Sequence, residues 1–232
     1  MIKMEIRLEG VEEVKKTLQV LGKDAPKVLK ITINETAKKL RFRLTEEVAH
    51  VFDKPKPITK SAIRYTTIRE SQNRLEANIY VDTSKGQNVW IWPHVHGTTR
   101  ELKRSEQRLQ RAGILPRGKM MRPGPDAKLD QYGNVSSGNM IKMLSQLRTF
   151  NEGGYTANQQ GFSQYYYFAD EHGIYRRKRF TSGRPEVSMV FIRQSRKYPK
   201  RFDFYGIGQK EGGKILIEKA DETLDYALRN YK

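Results

Sequence analysis

The hydrophobic pattern changes period twice within the first fifty residues. Residues 2–8 alternate apolar and charged side chains, as a half-buried strand does. Val11, Val14, Leu18 and Leu21 then recur at helical spacing, and Gly22 marks the end of that segment. Asp24 stands where an N-cap would open a second helix. The stripe Ala25, Val28, Leu29, Thr32, Thr36, Ala37, Leu40, Leu44 and Val48 predicts helix over roughly 24–50, about 40 Å long at 1.5 Å per residue. Lys27, Lys30, Lys38, Lys39, Arg41 and Glu46 hold the opposite face. A helix with a single apolar stripe needs a sheet or a neighbouring subunit to cover it.

Pro55 and Pro57 end this pattern, and Thr59 reads as the cap of a short helix near 60–63. Residues 64–69 and 75–81 predict a hairpin that turns through Glu70 to Arg74. Trp90-Ile91-Trp92 reads as extended up to Pro93. A charged helix is expected over 99–112, with Leu102 and Leu109 as its apolar contacts and Gly113 as its stop. Residues 116–138 read as a long Gly/Pro/Asn/Ser-rich loop, and 151–164 as another polar stretch. Between them Met140, Ile141, Leu144 and Leu147 predict a short amphipathic helix. The chain then returns to strand at 165–168, 173–175 and 187–192, with a turn at Asp170-Glu171-His172. A terminal helix over 212–230 places Ile215, Leu216, Ala220, Thr223, Leu224, Ala227 and Leu228 on one face. The fold class is α+β: a long N-terminal helix and a C-terminal helix packed on an antiparallel sheet. We expect a single domain over 1–232, with a loop-rich insertion at about 84–164.

Charge changes this picture. The chain carries 44 Lys plus Arg against 26 Asp plus Glu, a net charge of +18. The excess concentrates in the middle, where residues 51–150 hold 18 basic and 8 acidic side chains. Because the charge is dispersed through foldable segments, it reads as a folded positive surface rather than a basic tail, and nucleic acid is the commonest partner for one. The hydrophobic content of 37% allows only a modest core, so part of the stability is expected from subunit contacts. No run of 18 apolar residues exists, so no membrane span is expected. Without cysteine there are no disulfides and no thiolate metal sites.

Candidate chemistry is sparse. His94 and His96, two apart, would share a face if extended and could then ligate a metal with Asp170, Glu171 or His172. A polar turn beside a strand is the simpler account, and no HExxH motif supports a metal site. Asp170-Glu171-His172 could serve acid/base chemistry, but turn chemistry explains it more economically. Phosphate-binding loops and nucleophile elbows do not occur, so neither a catalytic residue nor a cofactor is assigned. Two basic clusters remain as candidates to face DNA or an acidic partner. One is Arg176, Arg177, Lys178 and Arg179. The other is Arg193, Arg196, Lys197, Lys200 and Arg201, interleaved with Tyr198, Phe202, Phe204 and Tyr205. Leu40, Leu44, Val48, Met120, Met121 and Tyr132 are candidates for docking against subunits or neighbours.

Several short stretches together resemble the tail-completion and minor tail protein Z-like family of tailed phages. They are the opening strand followed by Gly10-Val11-Glu12-Glu13-Val14, then Leu18 to Gly22; the helix bearing Asn34-Glu35-Thr36-Ala37; Pro57 to Arg64; Arg100 to Glu106 and on through Gly113 to Pro116; Leu129 to Ser136; and the element at 198–205. The resemblance implies a structural virion protein, not an enzyme, at the head-proximal end of the tail. It implies a ring of copies of this chain, six by inheritance, around the DNA channel. The ring's partners would be the tail tube or terminator, head connector proteins, and genomic DNA held without sequence preference. The protein would be made in the host cytoplasm, and no membrane is implied. A free, nonspecific nucleic-acid-binding protein is the alternative, and a metal-dependent hydrolase is the reading the residues favour least.

Overall fold

The computed structural model describes residues 2–7, 22–68, 76–84, 86, 88–150, 164–193 and 197–230. The expected helix over 11–21, the turn at 70–74, the polar stretch at 151–163 and Arg196 lie outside these. In chain order the elements are strand β1 (Lys3–Arg7), helix α1 (Ala25–Val51), helix α2 (Pro57–Lys60), strands β2 (Ile63–Tyr65) and β3 (Glu76–Val81), helix α3 (Asn88–His96), helix α4 (Arg104–Arg111), strand β4 (Lys119–Pro123), helix α5 (Ser137–Gln146), strands β5 (Tyr165–Ala169), β6 (Gly173–Lys178) and β7 (Glu186–Arg193), and helix α6 (Phe204–Asn230). The fold is α+β, with long N- and C-terminal helices and two antiparallel sheets. It divides into two compact units, Met1–Gly97 with Pro199–Lys232, and Thr98–Tyr198. The second unit takes in most of the segment expected to be a loop-rich insertion at about 84–164. It has its own sheet and core.

In the first unit β3 lies between β1 and β2. Side chains alternate along β3, so Ala77, Ile79 and Val81 all point into the core. The α1 stripe covers them: Ile33, Ala37, Leu40, Leu44 and Val48 have no exposed surface. Helix α6 packs along α1, where Thr32 Oγ1 meets Thr223 Oγ1 at 2.5 Å and Arg43 Nε binds Glu211 at 3.0 Å. Asp24 occupies the position before α1 but makes no side-chain cap, its backbone being helical already.

Helix α6 begins at Phe204, eight residues before the expected start. Gly206 and Gly208 argue against helix in sequence, yet each serves a close approach. The Asp203 carboxylate caps the Gly206 amide at 3.2 Å, and a Cβ on Gly208 would lie 2.1 Å from the Met4 side chain. Trp90 to Pro93 is helical, not extended. Ile91 and Val95, four apart, are both buried, and three apolar residues in a row could not distinguish the two periods.

Asn34 explains part of the α1 motif. Its Nδ2 donates to the Ile68 carbonyl at 3.0 Å, and its Oδ1 accepts from the Ile68 amide at 2.7 Å. The side chain thus pairs with backbone as another strand would, fixing the chain after β2.

In the second unit the sheet order is β4-β7-β6-β5. Helices α4 and α5 contribute Leu109, Met143 and Leu144 to a core with Met121, Ile174, Met189 and Phe191. The expected long loop after Gly113 contains β4. Its two methionines pair with β7, Met120 opposite Ile192 and Met121 opposite Phe191. Glu106 holds this arrangement together. Its carboxylate is fully buried and accepts from both terminal nitrogens of Arg100 at 2.7 Å, from the Lys103 amide at 2.7 Å and from the Met121 amide at 2.8 Å. Burial pushes the carboxyl up, but these donors overcome it and hold Glu106 below its ordinary value of 4.5.

Two predictions follow from these contacts. Asn34→Ala leaves the Ile68 backbone groups without partners and should cost about 1–3 kcal/mol, read as a lower urea midpoint at unchanged m. Glu106→Gln removes the carboxylate that neutralises the buried Arg100 and should cost about 3–5 kcal/mol. Because the folded carboxyl titrates below its unfolded value, Glu106's contribution is complete above pH 4.5 and fades as pH falls through the folded value. Acid titration of wild type and Glu106→Gln should therefore converge below that range, and parallel curves would contradict the assignment.

Candidate nucleic-acid interface

Strand alternation divides the first basic cluster between the two sides of the second unit's sheet. In β5 and β6, Tyr165 lies opposite Lys178, Tyr166 opposite Arg177, Tyr167 opposite Arg176 and Phe168 opposite Tyr175. Tyr167, Ala169 and Ile174 face the helices and join the core. Arg176 is on that side: its Nε donates to Glu186 at 2.9 Å, and its guanidinium lies over the Tyr165 ring at 4.6 Å. Its side chain is only 12% exposed, so Arg176 is a structural cation and not a free one. A cavity of about 20 Å³, lined by Tyr167, Arg176, Asn139 and Met189 among others, has room for a water but not for a substrate.

Tyr166, Phe168, Tyr175 and Arg177 belong to the opposite side. There the Tyr166 and Phe168 rings are 5.9 Å apart, and Phe168 stacks on Tyr175 at 5.4 Å and 22°. The Arg177 guanidinium sits 5.6 Å from the Phe168 centroid. Lys178 and Arg179 are exposed at the end of β6. Neither has a carboxylate partner among the described residues.

The second cluster is divided between the two units. Arg193 and Lys197 belong to the second unit, whereas Lys200 and Arg201 belong to the first. Arg193 is exposed at the end of β7, Lys197 is exposed, and Lys200 pairs with Asp203 at 3.5 Å. Two of the interleaved aromatics are not a stacking surface. Phe202 and Phe204 are fully buried, packed edge to face at 5.9 Å.

The docking candidates are corrected by burial. Leu40, Leu44 and Val48 are fully buried in their own unit's core, and Met120 and Met121 are 3% and 6% exposed. A neighbour could not reach them in this conformation. Tyr132 alone keeps partial exposure, in a turn where Asp130 Oδ1 accepts from the Tyr132 and Asn134 amides. The signal that could have identified the alternative surface is the Tyr165-Tyr166-Tyr167-Phe168 run. A strand cannot bury four consecutive aromatics on one side.

The histidine pair does not share a face as an extended segment would have it. Helix α3 turns residues two apart to different sides. His94 packs edge-on against Phe52 at 5.1 Å, while His96 lies against Trp92 at 4.0 Å. Among the described residues no group of three or more His, Asp or Glu could hold a metal ion. Asp170 is a turn residue, its Oδ1 accepting from the His172 and Gly173 amides at 2.8 and 3.0 Å. The turn expectation thus describes Asp170-Glu171-His172 better than acid/base chemistry does.

His94 has a structural role, since its backbone oxygen accepts from the Arg201 and Phe202 amides at 2.9 and 3.0 Å. Burial and the neighbouring Arg201 charge hold its imidazole below the ordinary 6.5, against a hydrogen bond with the Pro199 backbone. The fold therefore favours the neutral ring, and protonation favours unfolding. We expect the thermal midpoint to drop as pH falls below 6.5, and the drop to shrink in His94→Gln. A wild-type midpoint that rises over that interval would contradict this.

No family model, curated protein or solved structure matches this chain.

Proposed function

We propose that the protein is a structural component of a tailed-phage virion, a tail-completion or neck protein that assembles with copies of itself around the DNA channel. Its role is to join the tail to the head connector, not to catalyse a reaction. The observation that carries this reading is where the residues behind the family resemblance sit. Asn34 fixes the chain after β2; Ala37, Ala62 and Ile63 have no exposed surface; Phe202 and Phe204 fill the same core. Glu106, within Arg100–Glu106, anchors the second unit. These motifs serve the fold, as expected of a family defined by architecture rather than by a reaction.

The charge supports the same reading. Arg177, Lys178, Arg179 and Arg193 have no carboxylate partner among the described residues, so they are available to phosphates or to acidic neighbours. Lysine and arginine side chains set against backbone charge bind DNA without reading its sequence. The aromatic side of the β5–β6 hairpin favours the second reading, a free nucleic-acid-binding protein.

Sedimentation of the purified chain, alone and with duplex DNA, separates the two. The assembly reading expects a defined homo-oligomer that retains duplex more strongly than the monomer does, with retention lost steeply as salt rises. A chain that remains monomeric at high concentration and still binds free duplex tightly would favour the free binding protein.

A further inference from the structure

The outer side of the second unit's sheet carries three neighbouring rings, an arginine over one of them, and a basic run leading to the β6–β7 turn. In that turn Phe180 has no protection at all: it is 104% exposed, with φ of +58°. A bulky residue in left-handed backbone is uncommon and costs energy, and an unburied ring returns nothing to folding. Arg179 and Arg184 flank it in sequence, the latter's side chain 84% exposed with only a 3.9 Å contact to Asp126. Phe180 lies three residues past Arg177, in the turn that follows β6. The Arg177 Nε is itself buried without a hydrogen-bond partner among the described residues. These features are independent of one another. Stacked half-buried rings, an unsatisfied guanidinium nitrogen and an exposed aromatic between cations lie on β5, on β6 and in the turn that follows β6.

We propose that this surface binds single-stranded nucleic acid. Unpaired bases stack on Tyr166, Phe168 and Tyr175, Phe180 adds a further ring at the tip, and Arg177 with Lys178 and Arg179 takes the phosphates. A run of neighbouring rings offers nothing to a closed duplex, whose bases are already stacked, whereas every unpaired base has a face to offer it. The cations track a backbone without reading sequence. Asp170 lies in the turn before β6, at the opposite end of the strand from Lys178 and Arg179, so its charge favours phosphates at the Lys178 and Arg179 end. The chemistry goes beyond the virion role: it requires unpaired bases, which a duplex filling a channel does not supply.

The test is fluorescence anisotropy with a labelled oligothymidylate and with a duplex of equal length, at several salt concentrations. Phe180→Gly is the first variant, because the ring touches nothing that folding needs and glycine accepts the positive φ. Tyr166→Leu/Phe168→Leu keeps apolar volume but removes the π faces, and Tyr175→Phe keeps the ring while losing the hydroxyl. The single strand should bind more tightly than the duplex. Phe180→Gly should weaken single-strand binding at least about fivefold with no fall in thermal midpoint. The leucine pair should do the same with an unchanged salt slope, and Tyr175→Phe should bind as wild type. Arg177→Gln/Lys178→Gln/Arg179→Gln should flatten the slope. Equal affinity for duplex and single strand, with the ring variants silent, would overturn the proposal and leave the cations acting alone. Loss of self-association in the ring variants, with oligonucleotide binding intact, would also overturn it and assign the surface to a second copy of the chain.

Discussion

Glu106 is a carboxylate with no exposed surface, and three segments of the second unit converge on it. Arg100 neutralises its charge, the Lys103 amide closes the first turn of α4, and the Met121 amide sets the position of β4. A buried charge left half-satisfied costs more than no charge at all, so these donors must arrive together. The consequence extends across the sheet. Met121 fixes β4 against Phe191 of β7, β7 fixes Ile174 of β6, and β6 fixes Ala169 of β5. A slip of one residue would exchange the two sides of a strand. It would turn Arg177 inward and expose Arg176, which is paired with Glu186. The register decides which cations are available to a partner.

The first unit solves a different problem. Its sheet has three strands, and two long helices supply most of the rest of its core. Small contacts bring them close: Thr32 against Thr223, and Gly208 against Met4 of β1. Charge lines the rim, with Lys39 paired to Glu218 and Arg43 to Glu47 and Glu211. Exposed pairs of this kind contribute little each, so the apolar stripe and the close approach hold the helices together.

The sequence made α1 legible because nine positions repeated one period over more than six turns. Strands β5 to β7 were legible from their aromatic and apolar runs and the turn residues between β5 and β6. Helix α3 and the start of α6 were not, for opposite reasons. Trp90-Ile91-Trp92 is too short to show a period, and Gly206 and Gly208 oppose helix locally while serving contacts with Asp203 and Met4. Strand β4 was hidden among prolines and glycines, because its partner β7 is about seventy residues away. At the candidate interface composition identified the basic clusters but not their sides. Only the pairing shows that Arg176 and Arg177, adjacent in sequence, have opposite tasks. It was likewise burial, not hydrophobicity, that removed Leu40, Leu44 and Val48 from the docking candidates.

Together these features describe a chain whose recognisable motifs are spent on its fold and whose excess charge is left on its surface. The measurement that tests this account most directly is imaging of purified virions labelled with an antibody to the chain. The account predicts label at the head–tail junction, in a number of copies consistent with a closed ring. Virions without label, from cells that make the protein, would contradict it.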